Sequence, residues 1–292
     1  MKLNKQQIEQ YHDLGYLMIP DFLSGDQLKR AQQALTLHYP SPSEYFAAPE
    51  QYPVFSTSQF AGLANFPFGS FDLNRVMVTP ELIEIAQQLL GDDDIRLTKG
   101  ELWAKFQGAI DYGQDFHRDF GNHTLVVPRA DHRWKELTTF IYLSDVTRGS
   151  GATAIIPRDK TDGIPLGKNQ LSKDDPARRE AEYLQGTAGT LVLYSYDVFH
   201  RGVEIKDMES FRFMLLADFA RRDSPWIDRH AWPHHGMDAN MIEFIERISP
   251  EQRNLLDFPP IGHDYWNEQT LRDIQLRYPN LDVTPYQRKP SR

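Results

Sequence analysis

From Ile95 onward the chain stops reading as helix and reads as a series of short strands. Ile95–Lys99, Glu101–Phe106, Thr124–Val127, Leu137–Leu143, Ala152–Ile156, Thr190–Phe199 and Phe211–Phe219 are β-branched or aromatic runs bounded by Gly, Pro, Asp or Ser. Strands at hairpin-like spacing with no helix between them leave two architectures, an antiparallel sandwich or a barrel. Residues 158–186 interrupt the series. Their polar content, with Lys160-Thr-Asp-Gly and Lys173-Asp-Asp-Pro, predicts a partly helical insertion at a strand end.

Helices flank this β core, expected over about 95–220, on both sides. In the N-terminal flank, about 1–94, Asn4 can cap a helix that runs to Leu14 and stops at Gly15. Tyr16–Ile19 is a short strand. Ser24-Gly-Asp-Gln27 is a capping box opening a helix with Leu28, Ala31 and Leu35 on one face. Pro80–Leu90 is a second helix, begun by Pro and ended by Gly91. Residues 39–80 lack a period and are expected to be irregular, supplying a wall of the active site. In the C-terminal extension, about 221–292, Asp238–Ile248 and Asn267–Arg277 predict surface helices. No repeat or linker divides the sequence, so a single domain over 1–292 is expected.

Charge and cysteine content narrow the chemistry. The net charge of −9 argues against a general polyanion binder, and no nucleic-acid partner is expected. With no cysteine, disulfides, thiolate metal sites and Cys nucleophiles are excluded, so any metal is held by N and O ligands. The N-terminus has no apolar leader and no run approaches about 18 apolar residues, so a cytoplasmic protein without a membrane partner is the expectation.

Within the core, Gln114-Asp-Phe-His-Arg-Asp119 holds a His-x-Asp pair. Residues two apart on an extended strand point the same way. His117 and Asp119 therefore present an imidazole nitrogen and a carboxylate to one point, while Arg118 points away. One more imidazole completes a 2-His-1-carboxylate facial triad, the set that holds divalent iron with positions left open. His200, at the end of the apolar run Thr190–Phe199, is the candidate third ligand. The plainer alternatives are a surface His beside a salt-bridged Asp and a satisfied core His. Arg212 lies in Phe211–Phe219 and shares a strand face with Met214 and Leu216. A guanidinium among apolar neighbours needs a carboxylate, either from the protein or from a ligand that its fork grips in bidentate fashion.

Taken together these features resemble the phytanoyl-CoA dioxygenase family over roughly residues 5–220. Gln7–Leu23 is similar to that family's opening helix and Gly-Tyr strand. Gly151-Ala-Thr153-Ala-Ile-Ile-Pro157 is similar to its Gly-x-Thr…Pro turn, and Gly189-Thr-Leu-Val-Leu to the strand leading to the distal His. Two departures stand out: Pro157-Arg-Asp-Lys160 replaces the family's Pro-Gly-Ser-His, and the usual Asn beyond the distal His is missing.

The resemblance implies a mainly β fold with flanking helices, a cupin-like double-stranded β-helix or jelly-roll. It implies an Fe(II)- and 2-oxoglutarate-dependent dioxygenase that hydroxylates a small-molecule substrate with O2, releasing succinate and CO2. His117, Asp119 and His200 would bind the metal, Arg212 the far carboxylate of 2-oxoglutarate, and Thr153 and Gln114 would touch the same cosubstrate. Related halogenases replace the carboxylate ligand with a small residue, so Asp119 favours oxidation without halide. Two other readings share the ligands: a zinc-type hydrolase with a metal-bound water, and a cupin-like metal-binding protein without oxygenase activity. Phe116, Phe120, Trp103, Trp134 and Tyr196 are candidate pocket residues or core, and His123 and His234-His235 candidate substrate contacts or surface.

Overall fold

The computed structural model describes residues 1–58, 60–109, 113–120, 128, 136–224 and 238–287. The predicted N-terminal elements form as their caps dictate. Helix α1 (Lys5–Leu14) has Asn4 and Gln7 in a reciprocal capping box and ends at Gly15, whose φ of 78° is left-handed. Strand β1 (Tyr16–Ile19) follows, then α2 (Gly25–Ala34) behind its Ser24–Gln27 box. Residues 39–80 carry more structure than the sequence signals, in pieces too short to show a period: α3 (Pro42–Ala47), β2 (Leu63–Asn65) and α4 (Phe71–Val76). Helix α5 (Pro80–Leu90) ends at Gly91 and buries Leu82, Ile85, Ala86 and Leu89.

Strand β3 spans Ile95–Phe106 without a break, where the sequence predicts two strands parted by Gly100. Gly100 is there for close approach, not for a turn. A Cβ on it would lie 2.6 Å from Met77 Sδ and 2.8 Å from Phe66 Cβ. The irregularity sits two residues earlier, a register shift between Leu97 and Lys99. The remaining strands are β4 (Glu136–Tyr142), β5 (Ala154–Ile155), β6 (Glu182–Tyr183), β7 (Leu191–Ser195), β8 (His200–Arg201) and β9 (Phe211–Arg221). The candidate strand Thr124–Val127 lies outside the described residues. A six-stranded sheet runs β1-β7-β4-β9-β3-β2, and a three-stranded sheet runs β6-β5-β8, with every pair antiparallel. In the insertion, 3-10 turns at Arg158–Lys160 and Pro176–Glu180 precede β6.

Strand alternation sorts the large sheet into two faces. Leu97, Leu102, Ala104 and Phe106 of β3, and Phe213, Leu215, Ala217 and Phe219 of β9, face the helices and join the main core with α5. Beyond β9 the chain adds α6 (Ala239–Arg247), α7 (Pro250–Asn254) and α8 (Glu268–Arg277). Met241, Phe244 and Ile245 of α6 enter that core, whereas α8 buries no residue fully. The opposite face of the sheet, with Lys99, Glu101, Trp103 and Lys105 on β3, lines a cavity of about 370 Å³ shared with the smaller sheet.

Candidate metal centre

His200 does not end the strand that the apolar run predicts. Strand β7 stops at Ser195, the chain turns with Val198 N–H donating to Ser195 O at 3.0 Å, and His200 opens β8 in the other sheet. Val198 and Phe199 keep the run apolar through the turn, which hides it in the sequence. The departure at Pro157-Arg-Asp-Lys160 helps hold the turn: Arg158 donates to Asp197 Oδ1 at 2.8 Å and to the carbonyl of His12.

Crossing to the second sheet places His200 opposite His117. The two residues exchange backbone hydrogen bonds, His117 N–H to His200 O at 3.0 Å and His200 N–H to His117 O at 2.9 Å. Such a pair fixes both Cα atoms, and with them the two rings, whose centroids lie 4.6 Å apart. Asp119 is pinned by its own N–H to Tyr196 O at 3.1 Å. Arg118 points away from the pair: it donates to the carbonyls of Pro165, Leu166 and Lys168 and lies over the Phe199 ring, tying the insertion to the site's back wall.

The donor set suits a divalent metal. Nδ1 of His117 lies 2.9 Å from Asp115 O, and Nδ1 of His200 lies 3.2 Å from Val198 O. Carbonyls only accept, so each Nδ1 carries a hydrogen, and in the neutral ring, the form that binds a metal, the lone pair is then on Nε2. Both Nε2 atoms face Asp119, at 3.5 Å from Oδ1 for His117 and 3.4 Å from Oδ2 for His200. One ligand atom from each residue lies within 4.8 Å of the others. Second-partner bonds of this kind orient imidazole ligands in metal sites.

The remaining predicted residues share the cavity: Gln114, Thr153 and Arg212 all line it with the triad. Arg212 and Thr153 are buried. Arg212 donates to the carbonyl of Gly151, two residues before Thr153. The Gln114 side-chain oxygen accepts from Gly202 N–H at 3.0 Å. Phe60, Leu63 and Asn65 supply the wall expected from residues 39–80. Of the candidate aromatics, Trp103 lines the cavity, while Phe116, Phe120 and Tyr196 are buried and do not line it. Trp134, His123 and His234-His235 lie outside the described residues.

Two features escape the sequence reading. Lys99, Glu101, Trp103 and Lys105 alternate with Gly100, Leu102 and Ala104, a polar face on a buried strand. Reading β3 as one strand would have exposed it. On that face Trp103 Nε1 donates to Glu101 Oε2 at 3.0 Å, and Lys99 Nζ meets Asp218 Oδ2 at 2.6 Å. The second is Tyr194, whose hydroxyl lies 3.1 Å from Asp119 Oδ2.

Comparisons with known proteins bear on the family and the fold. The profile of the family described as Phytanoyl-CoA dioxygenase (PhyH) matches residues 11–206. No curated protein sequence matches the chain. Among solved structures, EctD from S. alaskensis with 2-oxoglutarate and 5-hydroxyectoine is 16% identical, covers 77% of this chain and 78% of its own, and has a TM-score of 0.58. The epimerase SnoN with Fe3+, alpha ketoglutarate and nogalamycin RO is 16% identical over 74% of this chain and 83% of its own, with a TM-score of 0.52. The non-heme alpha ketoglutarate dependent carbocyclase SnoK, from nogalamycin biosynthesis, is 17% identical over 80% and 89%, with a TM-score of 0.53. These likenesses are of fold, and the fold is the jelly-roll with flanking helices that the family resemblance implies, one of the two antiparallel architectures that the strand series leaves open. By its profile match over two-thirds of its length, the chain belongs to the phytanoyl-CoA dioxygenase family.

Proposed function

We propose that this protein is an Fe(II)- and 2-oxoglutarate-dependent dioxygenase that hydroxylates a small molecule. The observation that carries the reading is the meeting, in one cavity, of the His117–Asp119–His200 set with the buried guanidinium of Arg212. His117 Nε2, His200 Nε2 and an Asp119 oxygen would hold the iron. Arg212 would grip the far carboxylate of 2-oxoglutarate, with Thr153 and the Gln114 amide beside it. Bound there, iron and 2-oxoglutarate together turn O2 into an oxidant for the substrate while 2-oxoglutarate becomes succinate and CO2.

The chain's own part is to position and to exclude water. The backbone pair between His117 and His200 sets the angle between two ligands before any metal arrives. Phe140, Met214 and Leu216 line the cavity beside the polar groups and keep the site poor in water. Asp119 as a carboxylate supports hydroxylation over halide transfer. The family neighbours include an epimerase and a carbocyclase, so product analysis is part of the test. A zinc-type hydrolase would leave Arg212 and Thr153 without a role.

The experiment is aerobic incubation of the iron-loaded protein with 2-oxoglutarate and a small-molecule extract, following succinate and the mass of any new product. Succinate release dependent on His117, with a product heavier by one oxygen, is the expected result. Succinate without oxygen insertion would overturn hydroxylation but keep the cosubstrate. No succinate from iron-loaded protein would overturn the reading.

A further inference from the structure

We propose that Tyr194 is a positioning residue for the metal-binding carboxylate, its phenol holding Asp119 to a single ligating oxygen; this rests on the reading that His117, Asp119 and His200 bind the metal. Tyr194 sits on β7, facing the cavity, and is buried. Its ring is held between Phe140, at 5.2 Å between centroids, and the imidazole of His200, at 4.6 Å. The hydroxyl therefore has a fixed place, 3.1 Å from Asp119 Oδ2 and 3.3 Å from His200 Nε2.

A phenol has one hydrogen to donate, and here two acceptors face it. Without a metal the Nε2 lone pair and the carboxylate compete for that hydrogen. A metal that takes the Nε2 lone pair removes that competitor and leaves the phenol hydrogen to Oδ2, with the Thr138 hydroxyl also beside the phenol oxygen. The two carboxylate oxygens are alike in their distance from a ring nitrogen, Oδ1 3.5 Å from His117 Nε2 and Oδ2 3.4 Å from His200 Nε2, and it is the phenol's bond to Oδ2 that leaves Oδ1 as the ligating oxygen. Carboxylates bind metals through one oxygen or two, and a second oxygen would take a position that a chelating cosubstrate needs. Hydrogen-bond partners one step out from a metal typically change its affinity 10- to 100-fold.

The test is Tyr194→Phe, which keeps the ring between Phe140 and His200 and deletes only the hydroxyl. Metal-free wild type, Tyr194→Phe and His200→Ala are each titrated with Co(II) under argon, recording affinity and the visible absorption of the complex. Tyr194→Phe is expected to bind Co(II) roughly 10- to 100-fold more weakly, with a fainter, shifted spectrum as the carboxylate becomes bidentate, while His200→Ala binds no stoichiometric metal. Unchanged affinity and spectrum in Tyr194→Phe overturn the positioning role and leave the metal site standing. Weaker binding with an unchanged spectrum also overturns it, because a loosened fold alone would do that. Stoichiometric binding in His200→Ala overturns instead the ligand assignment on which it rests.

Discussion

Lys99 Nζ and Asp218 Oδ2 lie 2.6 Å apart on adjacent strands, with side chains 5% and 0% exposed. They are register partners in the β3–β9 ladder, so the pair is built by strand alignment between residues distant in sequence. Burial alone would pull the Lys99 pKa down. Asp218, then Glu101, Glu136 and Asp119, outweigh that and raise it. A buried pair costs most when one partner is removed, because the other charge stays buried and uncompensated. Lys99→Met is expected to cost about 3–5 kcal/mol of unfolding free energy. Lys99→Met combined with Asp218→Leu should be less damaging than Lys99→Met alone. Urea unfolding of the three proteins checks this, and a single variant within about 1 kcal/mol of wild type would contradict it.

The same burial predicts alkaline lability. The phenols of Tyr11, Tyr39, Tyr142 and Tyr196 are pushed far above their ordinary value, by burial first, and Lys99 is raised by its carboxylates. A raised pKa means that the folded protein keeps the proton to higher pH than the unfolded chain does. Their stabilising contribution is whole below the unfolded values, about 10 for Tyr and 10.4 for Lys, and drains away as pH climbs toward the folded values. The melting temperature should therefore fall steeply above about pH 10. The share of tyrosinate absorbance that belongs to these four buried rings should rise with unfolding, not before it. Full tyrosine titration in the folded protein would contradict the burial.

Gly100 offers a sharper test of packing. Adding a methyl group there drives Cβ against Met77 Sδ and Phe66 Cβ, in a core closed on both sides. Gly100→Ala is expected to destabilise by about 1–3 kcal/mol, the range for overpacked cores. Thermal or denaturant unfolding measures it, and a neutral or stabilised variant would mean that the segment carrying Phe66 and Met77 does not lie so close to β3.

Much of this site is legible in the sequence because its signals are local. His117-x-Asp119 is a two-residue spacing that alternation on an extended backbone reads as one-sided; in the structure His117 forms only isolated bridges and Asp119 lies in a turn, yet the two side chains meet. Caps at Asn4, Ser24 and Gly91 are likewise local chemistry, and those helices form where they predict. The missed features depend on what lies across space. The apolar run 190–199 conceals a change of sheet because Val198 and Phe199, at the exit of the turn, are core residues. Gly100 resembles strand punctuation until Met77 and Phe66 are seen against it. Lys99 and Asp218, or Tyr194 and Asp119, become partners only once strand register is known.

Arg212 tests the cosubstrate end of the cavity. Lysine keeps the charge but lacks the planar fork, so Arg212→Lys is expected to weaken 2-oxoglutarate binding by about 1–3 kcal/mol, and Arg212→Ala by more. Iron binding should survive in both, since Arg212 is not a proposed ligand. Titrating 2-oxoglutarate into the iron-loaded variants under argon reads both quantities. Unchanged affinity in Arg212→Ala would assign the guanidinium to structure, through its bond to the Gly151 carbonyl.

The account stands most directly on the metal. Metal-free protein titrated with Fe(II) under argon should take up one equivalent per chain, and added 2-oxoglutarate should then produce a saturable charge-transfer absorption. His117→Ala and His200→Ala should each lose the stoichiometric iron and the absorption together. One full equivalent of iron retained in both variants would contradict the assignment of the centre to His117, Asp119 and His200.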